Sequence, residues 1–470
     1  MSFEHHAMGL VASRLPGRKI LFELNNSSRH ALIAIMTGEF SLPTRSPLVA
    51  VANRILTGLD ACSIMPQVQL DVQELCSIAR EQTELDDFGD PWFLEPLEVL
   101  VEALKAEAAL NPIGHFAATG QFLKVMRERL WAQQWFKRER EILAEPLVPP
   151  VIVVGPMRSG TTRLHRLLAA DDRFEHLRFF ETVCPVPRPD YRPGRKDPRP
   201  RQAGRLLKTV HHLNPRTAVI HPTGPYEPEE ELGLLVASAW GMKHEAQWRV
   251  PSYGRWAEGE DATPAYQHMA RLLRLVRWAR GSRSRKPWVL KTPQHMLDLP
   301  ALMRVFPEAR LIFIHRDPER VVGSSCSLVW NQMTIHSDEA DPQWIGRHWL
   351  EKTGLQIDRM QAARSRIHPS QRIDVHYREM DNDWEGVMER VYRFLDIEIA
   401  PALPRMRRYV RKARSQHRWQ HHRYDLSAFG LERSAVRARF EHYVGAFDLA
   451  PPPERRHYAS VQEKLREAIA

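Results

Sequence analysis

The spacing of apolar positions changes twice along the chain. From Asp71 to Ile142 they recur three and four apart, beginning with Val72, Leu75, Cys76 and Ala79 behind a capping Asp71. Pro96–Leu110 repeats the pattern until Asn111-Pro112 interrupts it, and Gln121–Leu143 predicts another helix. Pro146, Pro149 and Pro150 then break the helical text, which places a boundary near 145. A continuous β-branched run follows, Val151-Ile-Val-Val154, the pattern of a strand buried on both faces. Helical spacing returns at Leu164, Leu167 and Leu168. Trp288–Lys291 and Arg310–Arg316 predict two more buried strands with a helix, Met296–Phe306, between them. Ile373–Tyr377 is a fourth, followed by an amphipathic helix to Leu395. Arg178–Glu181 reads as a strand end. Leu32–Met36, Leu48–Leu59, Pro228–Trp240 and Thr263–Arg280 read as helices. After residue 400 the text is Arg-rich and helical, broken by Pro451-Pro-Pro453, and no repeat recurs. The expected class is α/β, a parallel sheet flanked by helices. Three regions follow: 1–145 helical, 146–400 the sheet-bearing core, and 401–470 a helical extension.

Composition narrows this picture. The chain has 470 residues, 43% hydrophobic and 26% charged, with net charge +10. Those are the values of a water-soluble globular chain with a preference for anionic ligands. No zinc-finger spacing, aromatic RNA-binding motif or long basic block points to nucleic acid. Cys62, Cys76, Cys184 and Cys326 are scattered without a CxxC pair, which fits reduced cytoplasm rather than a disulfide scaffold. Met1-Ser-Phe-Glu-His-His lacks the basic start and apolar stretch of a signal peptide, and no uncharged apolar run nears 18 residues.

The chemistry begins where the first strand ends. Gly155-Pro-Met-Arg158-Ser159-Gly160-Thr161-Thr162 joins strand to helix. Glycines let the backbone turn N–H groups into one concavity, and the helix adds the positive end of its dipole. The sheet is thus expected to be of the P-loop type. An ordinary nucleotide-triphosphate loop carries Lys after the second Gly; here Thr161 stands there, and the loop's cation is Arg158. The guanidinium fork suits a terminal phosphate or sulfate. Two other strand ends are cationic, Lys291-Thr292-Pro293 and His315-Arg316-Asp317-Pro318. In an open parallel sheet these ends share one edge, where ligands bind. The Pro- and Arg-rich stretch 185–201 reads as a solvated loop, with a lid over an anionic substrate as the sharper alternative. His417-x3-His421-His422 lacks a thiolate or nearby Glu to complete a metal site, so no metal is required.

Pro156-Met-Arg158-Ser-Gly-Thr-Thr162, together with Arg316 and Ser324, resembles the sulfotransferases that use 3′-phosphoadenosine 5′-phosphosulfate (PAPS). The likeness is to large bacterial members, related to the tyrosylprotein and cytosolic enzymes. It covers about 151–400 with motifs, and the helical 70–145 region and His422-Arg-Tyr-Asp-Leu-Ser-Ala-Phe429 are similar too. It implies that Arg158, Ser159, Gly160, Thr161 and Thr162 hold the 5′-phosphosulfate and that Arg316 and Ser324 clamp the 3′-phosphate. Tyr377 would lie near adenine, Arg423 would meet the 3′-phosphate, and Lys291 would neutralise the bridging oxygen. The acceptor's general base is open between Glu181, where tyrosylprotein sulfotransferases place theirs, and His295, four past Lys291. His221 with Glu229, Glu230 and Glu231 forms a third group, better read as carboxylates favoured at a helix start. The acceptor would be a small molecule, glycan or lipid. A kinase or nucleotide hydrolase, and a non-catalytic nucleotide-binding protein, are the alternatives.

Overall fold

The structure, a computed structural model, describes residues 42–62, 68–193, 195–282, 285–416 and 424–449. The expected helix at Leu32–Met36, the histidines His417, His421 and His422, the donor-site candidate Arg423, and Pro451–Pro453 lie outside the described residues.

Four strands form one parallel sheet: β1 (Val151–Val154), β2 (Val289–Lys291), β3 (Arg310–His315) and β4 (Arg372–His376), in the order β2-β1-β3-β4. The register pairs Val153 with Lys291, Val154 with Phe313 and His315 with His376. The residues that follow each strand therefore emerge side by side along one edge. Alternate side chains serve the two faces. Val151, Val153, Ile312, Ile314 and Val375 pack with Leu164, Leu167 and Leu168 and with Val387, Met388 and Val391. Ile152, Val154, Leu290, Leu311 and Phe313 alternate with them and are also fully buried. That double burial explains why the strands read as unbroken apolar runs.

Helices Val72–Thr83, Leu94–Glu107 and Pro112–Arg138 form the amino-terminal layer. Asp71 caps the first, accepting from the Glu74 N–H at 2.9 Å. Leu75, Leu97, Leu100, Phe122 and Met126 bury together, and the same cluster takes in Trp248, Val250 and Tyr253 from far along the chain. Residues 43–470 accordingly form one unit.

Three expectations change. The long helix starts at Pro112, well before Gln121. Asn111 accepts from the Gly114 N–H at 2.8 Å, and Pro112 sits in the first turn, where a missing N–H costs nothing. The dipeptide that stops one helix thus starts the next. Arg178–Glu181 is no strand end. A helix, Phe179–Val183, begins there, and the Glu181 carboxylate accepts from the Arg178 N–H at 2.8 Å. The expected helix Pro228–Trp240 shrinks to Leu232–Val236, because Pro228 bridges Arg178 in an extended conformation and Glu229–Glu231 turn toward the sheet edge.

Candidate active site

The strand-to-helix loop carries two left-handed residues, Arg158 (φ 65°) and Gly160 (φ 93°). Side chains rarely adopt such angles, so the surrounding structure must hold Arg158 in place. Its Nε donates to Ser324 Oγ at 2.9 Å and one terminal nitrogen donates to Ile220 O at 3.0 Å. Burial, and then the nearby Arg316 guanidinium, lower its pKa. At Gly160 a Cβ would stand 2.4 Å from the Tyr377 ring, which lies flat against the loop. The Arg316 guanidinium lies over that ring, 4.0 Å from its centre, and donates to Arg158 O. Arg158, Gly160, Arg316, Ser324 and Tyr377 are thus brought together. Ser159 is used differently: its hydroxyl is buried and donates to Pro156 O at 2.7 Å, closing the turn.

Thr161 and Thr162 open the helix Thr161–Ala169, whose N-terminus faces the loop's concavity. Thr162 Oγ1 accepts from Lys291 Nζ at 3.2 Å. Lys291 Nζ also donates to Glu230, while its backbone N–H donates to Glu231 Oε2 at 2.8 Å. The other Glu231 oxygen lies 2.5 Å from His295 Nε2, and His295 Nδ1 is 2.9 Å from the Tyr266 hydroxyl. Beside them Glu229 Oε2 meets His221 Nε2 at 2.8 Å and accepts from Thr223 at 3.1 Å. Burial opposes ionisation of Glu229, but the charges of His221, Lys291 and Arg166 outweigh it and hold the carboxyl well below the ordinary range. His165, on the loop helix, is buried with neither ring nitrogen hydrogen-bonded, and burial and then Lys291 depress its pKa far below the usual value.

Two expected bases occupy saturated positions. Glu181 has no exposed surface; Arg280 donates to its two oxygens at 2.8 and 2.5 Å, beside the Arg178 N–H. His295 is equally buried, with both ring nitrogens occupied by Glu231 and Tyr266. Neither presents a face to an acceptor hydroxyl in this arrangement. The triplet Glu229–Glu231 does precede a helix, with Glu231 at the N-cap of Leu232–Val236, and it also stands at the end of β2, where Glu230 and Glu231 meet Lys291. Sequence reasoning weighed this group and ranked it last, because only the fold brings it beside Lys291. Tyr424 is a further missed contact. A Cβ at Gly323 would stand 2.5 Å from its ring, so the carboxyl-terminal extension packs beside Ser324. In the 185–201 stretch, Arg199 is buried and bound by Asp197 at 2.8 Å and by the carbonyls of Cys184 and Pro185, which makes it part of the fold and not a lid cation.

The arrangement offers two anion subsites on one edge. One is the loop with its helix N-terminus and Lys291; the other is Arg316 with Ser324. Arg158 bridges them. Among the described residues no group of three or more His, Cys, Asp or Glu side chains is placed to hold a metal ion.

The model of the sulfotransferase family matches residues 149–401. The omega-hydroxy-beta-dihydromenaquinone-9 sulfotransferase Stf3 of Mycobacterium bovis, and that of Mycobacterium tuberculosis, are 27% identical over 314 residues, 63% of this chain and 76% of theirs. The crystal structure of sulfotransferase STF1 from Mycobacterium tuberculosis superposes with TM-score 0.69 and 31% identity, covering 79% of this chain and 98% of that one. Sulfotransferase STF9 from Mycobacterium avium superposes with TM-score 0.73 and 25% identity, covering 83% of this chain and all of the other. The chain belongs to the sulfotransferase family, as an enzyme that moves a sulfuryl group from PAPS to an acceptor.

Proposed function

We propose that Glu230, and not Glu181 or His295, is the general base of this sulfotransferase. The observation that supports it is the chain of contacts from Thr162 through Lys291 to Glu230. Lys291 is almost wholly buried, while the Glu230 side chain keeps 21% of its surface exposed. Of the carboxylates around Lys291 it is the one an acceptor can reach. In the transfer, the acceptor's O–H proton passes to Glu230 as the oxygen attacks sulfur. The bond between sulfur and the bridging oxygen breaks, and the electron pair stays on the leaving phosphate. Lys291 moves from Glu230 to that oxygen, where charge grows only as the bond breaks. Thr161, Thr162 and Gly160 line the 5′ side, Ser159 holds the loop's turn closed, and Arg158 steadies it. Arg316 and Ser324 hold the 3′-phosphate, and Tyr377 stacks on the nucleotide. Arg423 is a further candidate for the 3′-phosphate. Glu231 and His295 position Lys291 by fixing its backbone.

We propose a hydroxyl on an amphiphilic small molecule or lipid as the acceptor. Val219, just before the segment 221–231 that carries His221 and Glu230, and Tyr226 within it are 70% and 64% exposed. The mycobacterial relatives are named for a menaquinone derivative bearing a terminal hydroxyl. The described cysteines are all unpaired, which fits a reducing cytoplasm.

Turnover of Glu230→Gln tests the base. A loss of at least ~100-fold is expected, with binding of 3′-phosphoadenosine 5′-phosphate retained. A second reading is favoured by the His221–Glu229 contact, an imidazole oriented by a carboxylate. His221→Ala should cost less than Glu230→Gln; the reverse order would move the base to His221.

A further inference from the structure

The opposite end of the sheet carries a feature that sulfuryl transfer does not use. Pro149 and Pro150 lead into β1, and Phe306, Pro307 and Glu308 lead into β3, joined by the Arg310 N–H donating to Pro150 O at 3.0 Å. Against these amino ends the helices Thr263–Ala279 and His295–Val305 leave a cleft of about 580 Å³. That is the volume of a site for a small organic molecule. Strands of four to six residues at ~3.3 Å each set it ~13–20 Å from the catalytic edge.

Its lining is apolar and cationic. Leu147, Pro150, Ala270, Val305 and Phe306 form the apolar part. Arg271, Arg274 and Arg304 also line it, against one carboxylate, Glu308. Arg304 is committed to Asp261 and donates to Thr263 Oγ1 at 2.9 Å. Arg271 and Arg274 are not so compensated. They sit one turn apart, both half-buried, and among the described residues neither has an ion pair. Arg274 donates to two carbonyls, Glu145 O at 2.8 Å and Ala270 O at 3.2 Å. Arg271 has a long contact to Gln133 at 3.4 Å and stacks on Phe136 at 4.6 Å. Burial lowers both pKa values, joined for Arg274 by the repulsion of Arg277 and Arg271 and offset in part for Arg271 by the more distant carboxylates of Asp90 and Asp87. Half-buried cations without a directly paired carboxylate are costly, and an anion between them would lower that cost.

We propose that this cleft binds an amphiphilic organic anion, an apolar body carrying a sulfate or phosphate ester, with Arg271 and Arg274 on the head group. The apolar part gives area and the two guanidiniums give selection for charge. The site is separate from the donor subsites, so it can be filled while they are occupied.

The test uses full-length protein saturated with 3′-phosphoadenosine 5′-phosphate. 2-Naphthyl sulfate, 2-naphthyl phosphate and neutral 2-naphthol are titrated by calorimetry. One or both esters should bind at least tenfold tighter than naphthol, and which ester does so names the head group. Gln267→Glu places a carboxylate on the exposed rim of the cleft and spares the core. It should weaken the ester at least tenfold and leave basal sulfate transfer unchanged. Arg274→Gln should weaken it similarly. Equal binding of naphthol and esters would reduce the cleft to an apolar surface, and unchanged ester affinity in both variants would place binding elsewhere; either result overturns the proposal.

Discussion

Two clusters of buried charge flank the same sheet and use the same residue types to different ends. In the first, Glu181 meets Arg280, and Glu175 meets Arg277 at 3.0 Å, with the Trp288 ring beside both guanidiniums. Arg280 also donates to His176 O at 2.7 Å, and Glu181 accepts from the Arg178 N–H. This cluster is closed: Glu181 has no exposed surface, and Arg280 and the Arg178 N–H take up its oxygens. In the second, Lys291 divides its ammonium between Glu230 and the loop's Thr162. Glu230 stays partly exposed, and His221 beside it keeps a third of its side-chain surface. A carboxylate–cation pair fastens the fold when every oxygen has a partner inside. It can do chemistry when one member can change partner and solvent can reach the other.

Four experiments can break or sharpen this contrast. The largest effect belongs to the closed cluster. Glu181→Gln leaves Arg280 buried without its counter-ion, which should cost ~3–5 kcal/mol of stability in a denaturant titration. Turnover per folded molecule should stay within a few-fold of the parent. A large loss of turnover in well-folded Glu181→Gln protein would return the base to Glu181.

The open cluster should answer in the opposite way. Lys291→Ala is expected to lower turnover at least ~100-fold, about 2.7 kcal/mol in the transition state, with near-normal binding of the desulfated donor. If that nucleotide instead dissociates in proportion, Lys291 is a ground-state ligand only. Next in size is Arg316→Ala. It should cost ~1.5–3 kcal/mol for nucleotides with a 3′-phosphate and little for those without one. Equal weakening of both would remove Arg316 from the 3′ subsite.

The smallest effect concerns Asp298, a buried carboxylate outside both clusters. It accepts from Trp240 Nε1 and from Gln294 Nε2, each at 2.8 Å. Burial pushes its pKa up from 3.8 to about 6, against those hydrogen bonds. A raised carboxylate pKa means that the folded state holds the proton more tightly. The associated stability is present below about pH 4 and lost as pH rises through about 6. Asp298→Asn stays neutral, so its stability relative to the parent should improve by ~2 kcal/mol between pH 4 and pH 8. Melting temperatures at the two ends of that window check the sign. A constant difference would mean that Asp298 does not titrate there.

The sequence by itself determined the sheet and the loop that joins its first strand to a helix. Strands β1, β2 and β3 are buried on both faces, so local composition already carries the signal of Val151–Val154 and Arg310–His315. The phosphate loop is contiguous, and Arg316 and Ser324 lie on one strand–helix unit, so spacing alone places them. The surroundings of Lys291 and Glu181 depended on tertiary structure. Glu230 reaches Lys291 across some sixty residues, and Glu181 is sequestered by Arg280 across nearly a hundred. Both glutamates follow short, poorly periodic segments, and nothing local tells a saturated carboxylate from an available one. The Asn111-Pro112 helix start shows the same limit on a small scale: one dipeptide can end a helix or begin one, and packing chooses. Backbone pattern is set by neighbours in sequence. The availability of a charged oxygen is set by which distant donors the fold brings within hydrogen-bonding distance.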